Sequence, residues 1–280
     1  MITSSDKCIT LASIRQKPVH SISGNFLPHF TGRTEELRYI RTLLETSDGS
    51  DRTPSYCVMW GMAGVGKTAL VHEYLDGVPK HISQIWLQAS TEAALDQSVL
   101  SAIEKCYPQD RDGHRYSDTR RERLKLKCWL EYDSRKENQD WILVLDDVHD
   151  KTCSILQDEI VPTKGSTCKV IATTRSRLIA EDILFLSPET IRCREIKVLD
   201  RESATKMFTR IWKFDPREPE KSQLLNEMEK SRIADILNAI DNLPLAVEMA
   251  AKYAKLNDLN LAWKTRSEVG EPFDIHVCSS

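Results

Sequence analysis

The stretch that most constrains this chain spans residues 61–68 and reads Gly-Met-Ala-Gly-Val-Gly-Lys-Thr. An apolar segment of strand length, Tyr56–Trp60, ends directly before it, and a segment compatible with a helix begins at Lys67. Glycines here allow left-handed backbone angles, so backbone N–H groups and the N-terminus of the helix can surround an anion. Lys67 can reach the β- and γ-phosphates of a nucleotide, and Thr68 supplies a hydroxyl ligand for Mg²⁺. The predicted phosphate-binding residues are Gly61, Met62, Ala63, Gly64, Val65, Gly66, Lys67, Thr68 and Ala69. The alternative is a glycine-rich turn that merely precedes a helix.

Apolar segments of strand length alternate with amphipathic helices up to Leu199. After Tyr56–Trp60, the further predicted strands are Gln84–Ala89, Trp141–Asp146, Lys169–Thr173 and Glu195–Leu199. The predicted helices cover Thr34–Glu45, Lys67 to about Asp76, the stretch around Leu95–Cys106, and Asp118–Tyr132. Continuously apolar strands separated by helices favour a parallel sheet covered on both faces. We therefore predict an α/β fold of the P-loop NTPase type, with a parallel five-stranded sheet flanked by helices.

The hydrophobic period becomes entirely helical from Asp200 onwards, which indicates a second domain. Helices are predicted over Ala204–Trp212, Glu220–Ala239 and Leu245–Leu256. The chain then divides into a disordered tail (1–25), a nucleotide-binding P-loop domain with an N-terminal helix (26–199), a small all-helical domain (200–263) and a short tail (264–280).

The strand Trp141–Asp146 ends in two adjacent carboxylates, Asp146 and Asp147. Because the carboxyl ends of parallel strands meet at one edge of a sheet, both side chains should lie beside the phosphate loop. We expect Asp146 to complete the Mg²⁺ site with Thr68, and Asp147 to orient or deprotonate an attacking water. A helix cap or a loop carboxylate after a core strand is the alternative interpretation.

The sequence Thr173-Thr174-Arg175 closes the next predicted strand. An arginine at this edge can contact a γ-phosphate and report its presence. A solvent-exposed arginine in a polar loop fits the spacing equally well, and Arg177 is a competing candidate. Lys67, Asp147 and Arg175 are the residues that we expect to act on the triphosphate.

Together these motifs resemble the NB-ARC branch of the STAND nucleotide switches, which includes plant immune receptors, apoptosome-type proteins and fungal NOD-like receptors. Five motifs match in order: Phe30–Arg33 with Glu36, the phosphate loop Gly61–Thr68, Leu143–Asp147, Val170–Arg175, and Leu243–Ala246. The resemblance covers about Phe26 to Trp263, nearly all of the chain predicted to be ordered.

The resemblance implies roles that spacing does not show. Phe30, Gly32 and Arg33 would line the adenine side, and Pro244 would pack on the base from the helical domain. Arg175 would sense the γ-phosphate. ADP, ATP and Mg²⁺ are the implied ligands. In such switches ADP holds a closed state, and exchange for ATP opens it and permits oligomerisation.

Two features depart from the family pattern. Asn242 stands where the family usually has glycine before Leu-Pro-Leu-Ala. After Ala262 the family continues into a winged-helix domain whose histidine contacts ADP, and His276 lies in too short a tail to be that residue. We therefore expect a core switch module, a truncated product or a fragment, lacking the winged-helix and repeat regions, that retains ADP more weakly than full-length relatives.

Charge and cysteine usage exclude several other classes of protein. The net charge of −3 gives no general preference for nucleic acid or anionic membranes, and the basic run Arg120–Lys127 fits the solvated side of a helix. No apolar run reaches the 18 or so residues of a membrane helix, and the N-terminus has no secretory signal. The eight cysteines form no C-x-x-C, and His149 with Cys153 lacks a second pair for zinc. A cytoplasmic protein with reduced thiols is expected.

Three functions remain open at this point. The first is an ADP/ATP-binding signalling switch with at most slow ATP hydrolysis. The second is a multiple-turnover P-loop ATPase or a small-molecule kinase. The third is a binding-only adaptor or decoy. Expected partners are an adenine nucleotide and, by self-association or capture, other NB-ARC receptors; no membrane or specific nucleic acid is expected.

Overall fold

The computed structural model describes residues 18–21, 29–45, 55–108, 118–133, 140–162, 169–182, 191–213 and 225–256. The helices are α1 (Thr34–Glu45), α2 (Lys67–Asp76), α3 (Glu92–Cys106), α4 (Thr119–Cys128), α5 (Asp150–Ile155), α6 (Arg177–Asp182), α7 (Arg201–Lys213), α8 (Glu227–Ala239) and α9 (Pro244–Leu256). The strands are β1 (Ser55–Trp60), β2 (Ser83–Gln88), β3 (Trp141–Val148), β4 (Lys169–Thr174) and β5 (Ile191–Glu195). Short π-helical turns, Trp129–Asp133 and Leu156–Ile160, continue α4 and α5.

The five strands form one parallel sheet in the order β2-β3-β4-β1-β5. This confirms the predicted fold class. Successive side chains of a strand point to opposite faces, and in β3 the pair Leu143 and Leu145 packs on one face while Ile142 and Val144 pack on the other. Both faces are covered by helices, which explains why β3 is continuously apolar in sequence.

The two faces of the sheet carry different helices. On one face, α3, α4 and α6 contribute to a core with Leu95, Leu126 and Ile179. On the other face, α1 and α2 contribute Ile40 and Leu70. The C-terminal helices α7, α8 and α9 form a third cluster of buried residues, so a small helical unit follows the sheet as predicted.

The last strand lies earlier than the sequence predicted. We expected it at Glu195–Leu199, but β5 is Ile191–Glu195, and Ile196 N donates to Trp60 O at 2.7 Å just beyond it. Ile196 and Leu199 are buried because they pack in the sheet and helical-domain cores, respectively. As an edge strand, β5 is covered on fewer sides, so its sequence carries charged residues and lacks the apolar signal of a central strand.

Part of the predicted disordered tail lies along the open edge of the sheet. His20 forms a parallel bridge with Gln84 of β2, and Gln84 N donates to Val19 O at 2.7 Å. The Ser21 hydroxyl accepts a hydrogen bond from Trp86 N at 2.6 Å. Val19 is 3% exposed and belongs to the sheet core. Residues 18–21 therefore pair with β2 and partly cover its edge.

The basic run in α4 is not a uniformly solvated face. The Arg123 side chain is 4% exposed and donates to Asp96, Glu92 and Glu159 at 2.6, 2.7 and 3.0 Å. Arg123 therefore contradicts the interpretation of Arg120–Lys127 as a solvated face. Its acidic partners lie on α3 and after α5, too far along the chain for a local charge pattern to reveal them. Its guanidinium links α4 to α3 and to the turn after α5 within the domain.

No helix within the described ranges is long and apolar enough to cross a membrane. Those same ranges contain no cluster of three or more His, Cys, Asp or Glu side chains able to hold a metal ion. His276 lies outside the described residues.

Candidate functional site

A cavity of about 460 Å³ opens at the carboxyl edge of the sheet, where the helical unit faces it. Its volume falls within the range of small-molecule and cofactor sites. Its lining comprises His29, Phe30, Thr31, Arg33, Ala63–Ala69, Gln88, Asp146, Asp147, Thr173, Arg175, Leu199, Met207, Pro244, Leu245 and Glu248. The cavity thus joins the predicted phosphate loop, both acidic strand ends and the predicted base-contacting proline.

The phosphate loop needs glycine for two different reasons. Gly61, Gly64 and Gly66 have φ angles of 153°, 73° and 92°, which other residues rarely adopt. A Cβ at Gly61 would also lie 2.4 Å from Ile196 O. Gly66 precedes α2 without any side-chain cap, so the first N–H groups of α2 are left for a ligand in the cavity. This cradle fits a phosphate.

The Lys67 side chain hydrogen-bonds back to the loop that precedes it. Its ammonium donates to Gly61 O at 2.7 Å and to Met62 O at 3.0 Å, and the residue is 7% exposed. Burial lowers the pKa of Lys67, whereas the nearby carboxylate of Asp147 raises it. Lys67 is thus a buried cation that lines the cavity beside the phosphate loop.

A bulge in β3 arranges the two acidic residues. The pairing of β3 with β4 shifts register between Leu145 and Val148, and Asp147 has a left-handed φ of 55°. Bulges commonly redirect side chains near active sites. Here the bulge places Asp146 in hydrogen-bond reach of Thr68, whose hydroxyl donates to Asp146 Oδ1 at 3.0 Å.

The oxygen atoms of Thr68 and Asp146 suit a hard divalent cation. Mg²⁺ prefers oxygen ligands and usually binds through one or two protein groups together with phosphate oxygens. Asp146 is 4% exposed and its carboxylate already accepts the Thr68 hydroxyl hydrogen, so a lone pair of that hydroxyl is left for a cation. The donor set therefore fits the predicted Mg²⁺ site.

Arg175 and Asp147 line the cavity and form a bidentate ion pair. Arg175 Nε donates to Asp147 Oδ1 at 3.1 Å, and Nη2 donates to Oδ2 at 2.9 Å. The competing candidate, Arg177, instead pairs with Glu181 at 2.7 Å and is not among the cavity-lining residues. Of the two arginines, Arg175 is therefore the one placed to contact a phosphate.

Part of the cavity lining is apolar. Phe30, Leu199, Met207, Pro244 and Leu245 line the cavity, as do the polar residues His29, Thr31 and Glu248. Burial lowers the pKa of His29, and the Glu248 carboxylate partly opposes this shift. An apolar slot with a few polar groups suits a flat ring system such as a nucleobase.

Arg33 lines the cavity and also links the phosphate loop to α1 through hydrogen bonds. Its guanidinium donates to Val65 O of the phosphate loop at 2.9 Å and to Glu36 of α1 at 3.2 Å. Gly32 does not line the cavity; a Cβ there would lie 2.6 Å from the Ser203 hydroxyl oxygen of α7. The motif that precedes α1 therefore joins three elements around the site.

Helix α9 sits directly on the phosphate loop. Leu245 N donates to Gly64 O at 3.2 Å, and a Cβ at Gly66 would lie 3.9 Å from Pro244 Cγ. The turn before α9 is left-handed at Asp241 and Asn242, with φ angles of 50° and 55°. Asparagine tolerates this conformation better than most residues, so the substitution for glycine leaves Pro244 in place.

A sequence model of the NB-ARC domain matches residues 34–213, well over half of the chain. The chain belongs to the NB-ARC domain family. This NB-ARC domain is a nucleotide-binding unit with the P-loop NTPase fold. No curated protein matches the sequence.

Two solved structures, Cdc6p and ORC, share the fold of this NB-ARC domain. Cdc6p from Pyrobaculum aerophilum is 13% identical with a TM-score of 0.53, and the match covers 88% of this chain and 66% of that one. The Drosophila ORC structure bound to DNA is 14% identical with a TM-score of 0.54, covering 88% and 69%. A STAND protein with a tetratricopeptide repeat sensor from Pyrococcus horikoshii is 19% identical with a TM-score of 0.45, covering 90% and 33%. The chain thus spans about two thirds of the first two chains and one third of the STAND protein.

The NB-ARC cavity contains most, but not all, of the residues predicted from sequence. Gly32, Gly61 and Met62 do not line it, and Met62 is 57% exposed. Sequence reasoning missed His29, Thr31, Gln88, Thr173, Leu199, Met207, Leu245 and Glu248. Gln88 ends β2 opposite Asp146, so the strand-end argument that found Asp146 could have found it.

Proposed function

We propose that this NB-ARC domain is an ADP/ATP-binding signalling switch with slow Mg²⁺-dependent ATP hydrolysis. One observation carries the proposal: a single cavity is lined by both the phosphate loop and α9, which meet through the Leu245 N–H and Gly64 O. A ligand that contacts two units can favour one relative orientation of them over another. Nucleotide identity would then select between states of the molecule.

The phosphate end supports a role for each charged residue. Lys67 and the N-terminus of α2 bind the phosphates, while Thr68 and Asp146 hold Mg²⁺. When bound, Mg²⁺ offsets negative charge on the phosphate oxygens. A γ-phosphate competes with Asp147 for the Arg175 guanidinium, which makes Arg175 the sensor of the triphosphate. Asp147 released from that pair orients a water for slow hydrolysis.

The apolar part of the cavity lining supports an adenine base. Phe30 and Pro244 pack against the ring, and Arg33 holds the surrounding backbone. The choice of adenine over guanine rests on the family resemblance. We further propose that the domain acts in signal transduction in the cytoplasm, through self-association or association with full-length NB-ARC receptors.

The first experiment is to purify the chain without added nucleotide, denature it and identify what is released by chromatography. Release of bound ADP is the expected result. ADP affinity is then measured by calorimetry for Lys67→Ala and for the matched control Lys151→Ala, an exposed residue that does not line the cavity. Losing one charged hydrogen-bond donor should weaken ADP binding by at least about tenfold in the first variant only. Equal affinities in both variants contradict the proposal.

Turnover distinguishes the switch from an ordinary ATPase. A switch hydrolyses ATP slowly and retains the product, so single-turnover and steady-state rates should differ. Asp147→Ala should keep ADP binding while slowing hydrolysis further. Rapid multiple turnover by the unmodified chain would support the ATPase alternative instead.

A further inference from the structure

Thr173, which the sequence reasoning did not assign, lies between the two acidic residues of the site. It is fully buried, and its hydroxyl donates to Asp146 Oδ1 at 2.7 Å. The same hydroxyl accepts from Asp147 N at 2.8 Å. A hydroxyl has one hydrogen and two lone pairs, so one side chain can make both bonds at once.

The two bonds restrain the Asp146 carboxylate and the backbone at Asp147. Asp146 Oδ1 accepts from Thr173 on β4 and from Thr68 on α2, so the carboxylate is held from two sides. Asp147 has a φ angle of 55°, which a non-glycine residue adopts only when its surroundings stabilise it. Thr173 supplies a bond to the backbone at that strained position.

We propose that Thr173 is a positioning residue: its hydroxyl fixes the Asp146 carboxylate for a divalent cation and holds the β3 bulge that presents Asp147. This inference rests on the proposed nucleotide-binding function. Groups that hydrogen-bond to a metal ligand fix its orientation, and removing them typically costs about 10–100-fold in metal affinity. Thr173 thus acts on the cation through Asp146 and need not touch the nucleotide.

The neighbouring Thr174 provides a matched control. It is equally buried on the same strand, and its hydroxyl donates to Val148 O at 2.9 Å. It does not line the cavity and bonds neither acidic side chain. Thr174→Val therefore removes a buried hydroxyl of the same kind without touching the proposed cation site, whereas Thr173→Val removes both bonds to the acidic pair.

The experiment measures ADP affinity by calorimetry in EDTA and again in Mg²⁺, and compares the ratio of the two affinities. Thr173→Val should bind ADP in EDTA about as well as the unmodified chain, since Lys67 and the loop are unchanged. Its gain in affinity from Mg²⁺ should fall by about 10–100-fold, or disappear if the original gain is smaller. Thr173→Ser keeps the hydroxyl and should restore the gain, and Thr174→Val should leave it intact.

Three results overturn the inference: an undiminished Mg²⁺ gain in Thr173→Val, failure of Thr173→Ser to restore a lost gain, or an equal loss in Thr174→Val. If Thr173→Val does not fold, Thr173→Ala is tested in its place, with the same expected ratio. Absence of ADP binding by the unmodified chain in both buffers refutes the proposed function itself. An unmodified chain that binds ADP beside a Thr173→Val chain with a normal ratio refutes only the role of Thr173.

Discussion

Replacing Arg123 with methionine should destabilise the sheet domain strongly, although Arg123 lies outside the cavity. Its guanidinium donates to Asp96, Glu92 and Glu159 at 2.6, 2.7 and 3.0 Å. The Arg123 side chain is 4% exposed, and those of Asp96 and Glu159 are 18% and 14% exposed. Methionine fills similar space but removes the positive charge from both carboxylates, and only Glu159 keeps another cationic partner, Arg120 at 3.1 Å.

The exposure of each carboxylate sets the expected size of the effect. Glu92 is 60% exposed, so water replaces most of its lost interaction. Asp96 and Glu159, which are mostly shielded from water, each lose a charged hydrogen bond worth about 1.5–3 kcal/mol. Removing one partner from a buried ion pair costs about 3–5 kcal/mol. We therefore expect Arg123→Met to lower the free energy of unfolding by about 3–5 kcal/mol.

Urea unfolding followed by tryptophan fluorescence provides the measurement. Trp129 and Trp141 are both 1% exposed in the same core cluster as α4, so their emission reports on this domain. Arg120→Met is the matched control, because Arg120 is 69% exposed and contacts the same Glu159 at 3.1 Å. That control should cost no more than about 1 kcal/mol. Equal losses in the two variants would refute the reasoning.

Three further predictions concern the turn before α9, the protonation of His72 and the reactivity of the thiols. Asn242→Val should be about 1–2 kcal/mol less stable than Asn242→Gly in thermal unfolding, because a β-branched side chain disfavours a φ of 55°. Burial lowers the pKa of His72, so the folded state binds fewer protons than the unfolded state, and stability should decline as pH falls below about 6.5. In His72→Gln the decline, measured by urea unfolding across pH, should be shallower. Burial raises the pKa of both Cys57 and Cys106 to about 12, so mass spectrometry after mild thiol alkylation should find exposed Cys128 modified before either.

The central strands could be predicted because both of their faces are buried, which gives them unbroken apolar sequences. Ile142, Val144 and Ile171 face one layer of helices while Leu143 and Val170 face the other, so these strands read as unbroken apolar runs. The edge strand β5 has no such signal, because charged residues alternate along it. Residues 18–21 were missed for a related reason: their pairing with β2 uses backbone groups and one serine, which leave little trace in hydrophobic patterning.

Individual site residues could be predicted, but the contacts between them could not. The rule that parallel strands end at one edge places Asp146, Asp147 and Arg175 together, and all three line the cavity. The ion pair between Asp147 and Arg175 depends on a register shift of β3 against β4, which no local pattern encodes. The sequence marks Thr173 only as part of a strand ending, because its proposed role depends on two hydrogen bonds across that same shift.

The contact between Gly64 and Leu245 explains how such a small site could couple two units. A Cβ at Gly64 would lie 3.0 Å from Leu245 Cβ, so α9 packs on the loop with no space between them. Any shift of the Gly64 carbonyl that accompanies phosphate binding must either carry Leu245 N with it or break their hydrogen bond. Packed interfaces respond to small displacements by moving as bodies rather than by deforming continuously. If the domain is the proposed switch, the same close packing of α9 on the loop would make the orientation of the helical unit sensitive to the bound nucleotide.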